Sequence, residues 1–106
     1  MFQQKQHQQL TCLCAGELIL VGRGVHCDIR LDDPSSSRVH CRLLERDGKV
    51  FLTDAGSRWG TYVNGVRVSE CELAPGDKIT IGETQLCLVV EEVARGRYWL
   101  LVGNFP

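Results

Sequence analysis

The chain has 106 residues, which suits one domain with a modest hydrophobic core. Hydrophobic residues make up 43% and charged residues 24%, the balance of an ordinary globular protein. A formal net charge of -1 gives no support to a general affinity for nucleic acid or anionic membrane. No apolar run is long enough to cross a bilayer. We therefore expect neither nucleic acid nor membrane as a partner.

The polar, glutamine-rich residues 1–8 lack the apolar segment of a secretory signal. We expect them to be a disordered N-terminal segment or a tag, and we expect a cytoplasmic location with reduced cysteines. Six cysteines would allow three disulfides, but none has zinc-ribbon spacing. Cys12 and Cys14 would share one face of a strand. The favoured interpretation is free cysteines that act as small buried hydrophobic residues; a disulfide or metal role is the alternative.

Short apolar runs alternate with clusters of Gly, Pro, Asp, Asn and Ser, which favour turns. The runs are, in chain order, LTCLCA, ELILVGR, DIRL, RVHCRLLER, KVFLTD, TYVNG, VRVSECEL, DKITIG and TQLCLVVEE. Asp-Gly and Asn-Gly pairs predict hairpin turns at residues 46–49 and 63–66. No run keeps a helical period over three turns. The pattern predicts an all-β sandwich or barrel.

The domain is expected to span residues 9–92, after which the segment 93–106 forms a C-terminal extension. Within it, RYWLLV is either one further strand or the start of a linker. The segment ends on an apolar residue and a proline, so we expect the domain to be part of a larger multidomain chain.

Two kinds of chemical site, for a metal and for a nucleotide cofactor, find little support. His26, Cys27 and Asp28 are the nearest approach to a metal cluster, but a turn histidine and a core cysteine are the favoured interpretation. Gly22-x-Gly24 lacks the third glycine and the following helix of a dinucleotide site, and no Walker lysine follows it. We therefore expect no metal and no cofactor.

A hydrolase is the more serious enzyme hypothesis, because Ser37, His40 and Asp54 supply the three residue types of a catalytic triad. Ser37 and His40 are three apart, however, so on an extended chain they point to opposite faces. No G-x-S-x-G elbow is present. We therefore expect a protein that is not an enzyme.

Three predicted loops carry arginine and serine side chains. Arginine offers paired donors in a rigid fork and serine offers a shorter neutral donor, which together suit a tetrahedral oxyanion. If a sandwich brings the three loops to one end, these groups converge on one small surface. The residues concerned are Arg23, then Ser35, Ser36, Ser37 and Arg38, then Ser57 and Arg58.

Four motifs occur in a fixed order along the chain. They are Gly22-Arg23, Ser37-Arg38-Val39-His40, Asp54-Ala55-Gly56-Ser57-Arg58-Trp59-Gly60-Thr61 and Asn64-Gly65, and the segment LAPGDKITIGETQLCLV follows them. Over roughly residues 10–91 the chain therefore resembles a forkhead-associated (FHA) domain, a binder of phosphothreonine peptides, and the later segment resembles the closing strands of that family.

The resemblance implies an all-β, antiparallel two-sheet sandwich of about eleven short strands, with the recognition loops at one end. It implies that Arg23 and Ser37 bind the phosphate, that Arg58 adds a second cation, and that Arg38 contacts the peptide. His40 is implied to be a scaffold residue that ties two recognition loops together. The remaining motif residues are implied to be structural, with the glycines and Asn64 as turn formers: Gly22, Asp54, Ser57, Gly60, Thr61, Asn64 and Gly65.

Trp59 departs from the family pattern, which has asparagine at this position to bond the peptide backbone. Indole has one donor and no acceptor, so it replaces the amide only in part. The first hypothesis is a phosphothreonine-dependent interaction module in signalling. The alternative is a phospho-independent protein-protein interaction domain with the same fold, in which exposed Trp59 anchors a partner.

Overall fold

The computed structural model describes residues 9–90 and 98–103. The expected N-terminal segment or tag, 1–8, lies outside the described residues, as do 91–97 and 104–106. The described part contains strands and no helix, so no helix there has the length and apolarity needed to cross a membrane. The strands are β1 Gln9–Leu13, β2 Leu18–Gly22, β3 Ile29–Arg30, β4 Cys41–Arg46, β5 Lys49–Asp54, β6 Thr61–Val63, β7 Val66–Val68, β8 Glu70–Leu73, β9 Lys78–Ile81, β10 Thr84–Val90 and β11 Tyr98–Gly103.

The strands form two sheets that pack face to face. One has six strands in the order β1-β11-β10-β9-β6-β7, and the other has five in the order β3-β2-β4-β5-β8. Every pair is antiparallel except β2 with β3, which is parallel. Alternate residues of most strands point into a core of aliphatic side chains, such as Leu43, Leu52 and Leu88. The predicted all-β, two-sheet antiparallel sandwich of about eleven strands is confirmed.

Both predicted hairpin turns are confirmed. β4 and β5 join through Asp47 and Gly48, and β6 and β7 join through Asn64 and Gly65. Asp47 has a φ of 54° and Asn64 a φ of 51°, the positive values that two-residue hairpins need.

Two of the predicted runs have the wrong extent. VRVSECEL is two strands, because the chain crosses between sheets at Ser69: β7 pairs with β6, whereas β8 pairs with β5. RVHCRLLER begins as loop, and β4 starts only at Cys41. The His40 ring is held by loop backbone, which keeps the preceding residues out of the ladder.

The cysteines form no disulfide. The sulfur atoms of Cys12 and Cys14 lie 3.4 Å apart, but Cys14 lies just beyond the end of β1, so the two cysteines do not share one strand. Cys41 is buried in the core, and burial, followed by the nearby Asp54, raises the pKa of its thiol to about 12. The interpretation as a buried hydrophobic residue is therefore confirmed for Cys41. It is wrong for Cys14, which is exposed because it follows the last residue of β1.

Candidate functional site

Three loops meet at one end of the sandwich, as the sequence predicted. They connect β2 to β3 (residues 23–28), β3 to β4 (31–40) and β5 to β6 (55–60). Backbone hydrogen bonds fasten the first loop to the second: Arg23 N donates to Ser37 O at 2.9 Å, and Gly24 N donates to Arg38 O at 2.9 Å. The positions of their side chains are therefore fixed relative to one another.

Gly22 makes this approach sterically feasible. A Cβ on Gly22 would lie 2.3 Å from Arg38 O and 2.8 Å from Ser37 O, closer than atoms can pack. The sequence interpretation of Gly22 as a turn former is wrong, because Gly22 is the last residue of β2. Its role is to let the backbone of the second loop pass against the first.

Arg23 and Ser37 present donors to the same surface. The Nε of Arg23 donates to Ser36 O at 3.1 Å, which directs the guanidinium along the second loop and leaves its Nη fork at the end of the side chain. Ser37 Oγ accepts from Arg58 N at 3.2 Å, so the hydroxyl proton of Ser37 points elsewhere and can be donated to a ligand.

His40 is fully buried, and both of its ring nitrogens bond to backbone. Nδ1 accepts from Ser37 N at 3.0 Å, so Nε2 carries the proton and donates to Gly60 O at 2.8 Å. One side chain thus joins the second loop to the third. Neither ring nitrogen is available as a base toward the Ser37 hydroxyl, which argues against the triad hypothesis.

Asp54 organises the third loop. Its carboxylate accepts from Ser57 Oγ at 2.6 Å, Thr61 Oγ1 at 2.7 Å, Ser57 N at 2.9 Å and Gly56 N at 3.0 Å. Burial alone would raise the pKa of Asp54. The hydrogen bonds from Ser57, Thr61 and the loop backbone outweigh burial and lower the pKa below its ordinary value. The ionised carboxylate therefore holds the loop in shape.

Arg58 and Trp59 project from this third loop. The Arg58 guanidinium carbon lies 5.2 Å from the centroid of the Trp59 ring, within cation–π distance. Trp59 is 59% exposed, so it is a surface residue and not part of the core. The pair presents a cation and an aromatic face beside Ser37.

The Asn64-Gly65 turn lies at the opposite end of the sandwich. The Asn64 amide donates to Asp77 Oδ1 at 3.0 Å and accepts from Lys78 N at 3.1 Å, which closes the β8–β9 loop. The structure therefore separates this motif from the other three.

In the candidate metal cluster, the side chains of Cys27 and Asp28 form hydrogen bonds with backbone atoms. The Cys27 thiol donates to Arg38 O at 3.0 Å, and Asp28 Oδ2 accepts from Leu20 N at 2.8 Å. Sequence reasoning missed Arg30, whose Nε donates to Arg23 O at 3.3 Å. Arg30 ends a strand of only two residues, so no periodic pattern marks it.

The site thus combines a forked cation, a hydroxyl donor and an exposed aromatic residue on one rigid surface. Paired guanidinium donors and a serine hydroxyl suit a tetrahedral oxyanion such as phosphate. The FHA domain family model matches residues 19–82, so the chain belongs to the FHA domain family. Members of this family read phosphorylated motifs through arginine clusters.

A curated relative supports the assignment. The glycogen accumulation regulator GarA of Mycolicibacterium smegmatis is 42% identical over 65 residues, which are 61% of this chain and 41% of GarA. This chain spans less than half the length of the curated relatives it matches.

Solved structures agree over almost the whole chain. The FhaA FHA domain, complexed with the intracellular domain of Rv3910, has a TM-score of 0.66 and 27% identity; the match covers 92% of this chain and 99% of that one. A domain solved in work on phosphothreonine-dependent FHA domain interactions has a TM-score of 0.65 and 27% identity, with 93% and 97% covered.

Proposed function

We propose that this chain is a non-catalytic interaction module that binds phosphothreonine peptides through the three loops. The observation that carries the proposal is the convergence of Arg23 and Ser37, which are joined by the hydrogen bonds of their own loops. Arg23 supplies the forked cation to the phosphate, and Ser37 supplies a neutral donor. The FHA relative solved for its phosphothreonine-dependent interactions supports the choice of ligand.

The other site residues take secondary roles in this proposal. Arg58 adds a second cation to the phosphate, Arg38 contacts the peptide, and Trp59 contacts the peptide beside the phosphothreonine. His40 and Asp54 hold the loops that present them.

The test is a titration with a phosphothreonine peptide and its unphosphorylated twin, measured by calorimetry. We expect the phosphorylated peptide to bind and the twin to bind far more weakly. Arg23→Ala should weaken binding about tenfold to hundredfold, because a charge-assisted hydrogen bond contributes roughly 1.5–3 kcal/mol.

The control is Arg46→Ala, since Arg46 ends β4 at the opposite end of the sandwich and should leave the affinity unchanged. Equal binding of the two peptides, or parent-like binding by Arg23→Ala, would contradict the proposal.

The second candidate is a phospho-independent interaction domain, which the exposure of Trp59 favours. An exposed tryptophan next to an arginine is a common anchor of protein interfaces. In that case phosphorylation would not change the affinity of the partner, and Trp59→Ala would weaken binding more than Arg23→Ala.

The biological setting is also a proposal. We propose that the domain acts within a larger multidomain chain in the cytoplasm, where its thiols stay reduced. Isolation of the full-length protein and a count of its free thiols would test both statements.

A further inference from the structure

A groove of about 650 Å³ opens beside the loop that carries Arg23. We call it the arginine groove, after its three cationic lining residues, Arg23, Arg30 and Arg38. Asp32 is the acidic residue of the lining, and Leu20, Val25 and Val39 supply apolar wall. Because Arg23 belongs both to the groove and to the candidate phosphate site, the two are contiguous.

Two of the arginines are held in place by backbone. Arg30 Nε donates to Arg23 O at 3.3 Å, and Arg23 Nε donates to Ser36 O at 3.1 Å. Each bond uses the Nε and leaves the terminal Nη atoms to face a ligand. A guanidinium that is already oriented loses less side-chain entropy when it binds an anion.

Arg38 is fixed at its main chain. Its carbonyl accepts from Gly24 N at 2.9 Å and from the Cys27 thiol at 3.0 Å, while its side chain is exposed. Among the residues that the structure describes, none of the three guanidinium groups is paired with a carboxylate. The groove therefore carries an excess of positive charge next to the phosphate site.

We propose that the arginine groove binds a second anionic side chain of the same peptide, either a carboxylate or a second phosphate near the phosphothreonine. The proposal rests on the proposed function, because the phosphothreonine brings the peptide to this end of the sandwich. Arg30 and Arg38 provide the charge for the second anion, and the apolar wall receives the aliphatic stem of its side chain.

The test compares three degenerate peptide libraries that share one central phosphothreonine. The first has neutral residues on both sides. The second has glutamate, and the third phosphoserine, at the second and third positions on each side, which reach roughly 10 Å in an extended peptide. Affinities are measured by competition at 0.15 M salt, approximately the physiological ionic strength. The readout is the affinity of each anionic library divided by the affinity of the neutral library.

For the parent domain we expect a ratio of about two to five, in line with a partly exposed charge pair. Arg30→Gln and Arg38→Gln should each lower the ratio, and Arg30→Lys should keep most of it because the cation remains. Arg46→Gln is the matched control and should keep the parent ratio. Thermal unfolding of every variant checks that the fold is intact.

An affinity ratio near one in the parent contradicts the proposal that the arginine groove binds a second anion. The proposed function still stands in that case if the neutral phosphothreonine library binds better than its unphosphorylated form. A ratio that survives in both glutamine variants also contradicts the proposal for the arginine groove. A high ratio with only one library supports the groove and identifies the anion as carboxylate or phosphate. Binding that ignores the phosphothreonine refutes the proposed function, and with it the second subsite.

Discussion

Trp59 is the residue whose place in the structure says most about the ligand. A tryptophan in a short chain is usually expected in the core, yet this one is 59% exposed and lies under the Arg58 guanidinium. Its neighbours Ser57 and Gly60 are fixed by hydrogen bonds within the loop, so the loop presents the ring outward. Trp59 therefore occupies a contact position, where the family pattern has an asparagine.

Trp59→Asn should change which phosphothreonine peptides bind much more than it changes folding. An asparagine amide both donates and accepts with a peptide backbone, whereas indole only donates. Because the ring is exposed, the free energy of unfolding should change by about 0.5 kcal/mol or less. Peptide-library ranking and chemical denaturation measure the two effects.

The control for this substitution is Trp59→Phe, which keeps an aromatic face and removes the indole N–H. It should keep the parent ranking if the face makes the contact. A stability loss above about 2 kcal/mol in Trp59→Asn, with the ranking unchanged, would show that Trp59 supports the fold.

At the scale of one element, the loop between β5 and β6 depends on an ionised carboxylate. Asp54 receives four hydrogen bonds from the residues that follow it. Its pKa is lowered on folding because these bonds outweigh burial. Its contribution to stability is therefore fully present above the ordinary aspartate pKa of about 3.9, and it is lost as the pH falls through the lower, folded value.

We expect the free energy of unfolding to fall as the pH drops below about 4, and we expect Thr61→Val to make this fall smaller, because the folded-state pKa of Asp54 then lies nearer its unfolded value. The substitution keeps the shape of the side chain and removes one of the bonds that lower the Asp54 pKa. Urea denaturation at several pH values measures how the free energy of unfolding depends on pH. Thr53→Val is the control, since Thr53 is not among the donors to Asp54; identical profiles for the two variants would contradict the assignment.

The elements also show what the sequence could predict. Turn chemistry is local, so the Asp-Gly and Asn-Gly hairpins were found from the sequence alone. The membership of a strand in a sheet depends on distant partners. Nothing in VRVSECEL marks Ser69 as the crossing point: β7 pairs with its hairpin neighbour β6, whereas β8 pairs with the more distant β5.

The candidate site likewise contains residues that the sequence predicted and residues that only the structure reveals. The residue types of Arg23 and Ser37 predicted an oxyanion site, and their convergence followed once the loops were placed at one end. Arg30 could not be found, because its position beside Arg23 arises from the parallel pairing of β2 with β3. Gly22 was assigned as a turn former, since only the structure reveals the Arg38 carbonyl that passes against it.

At the scale of the whole molecule, two features hold the sandwich together: a carboxylate that links the two sheets, and the last of the described strands, β11. Asp33, in the loop before β4, accepts from Glu83 N at 2.9 Å, in the β9–β10 turn, and from Thr84 Oγ1 at 3.0 Å, at the start of β10. One carboxylate thus links the recognition end of the five-stranded sheet to the six-stranded sheet. The loops are therefore fastened to both layers of the sandwich.

The second feature is β11, which lies between β1 and β10 and pairs with both. The sequence left this segment open between a strand and a linker, and the family model ends at residue 82. Leu100 is fully buried and Val102 nearly so, and both belong to the core. β11 therefore adds inner-face side chains to the sandwich, pairs with the edge strand β1 and supplies the second partner of β10.

Leu100→Ala should consequently cost about 2–5 kcal/mol of unfolding free energy, the usual cost of a buried leucine. Its neighbour Leu101 points to the outer face and is only half-buried. Leu101→Ala is thus a matched control for which we expect a clearly smaller cost. Both are measured by chemical denaturation, with peptide affinity as a second readout. Equal costs, or a Leu100→Ala variant within about 0.5 kcal/mol of the parent, would mean that the domain folds without β11.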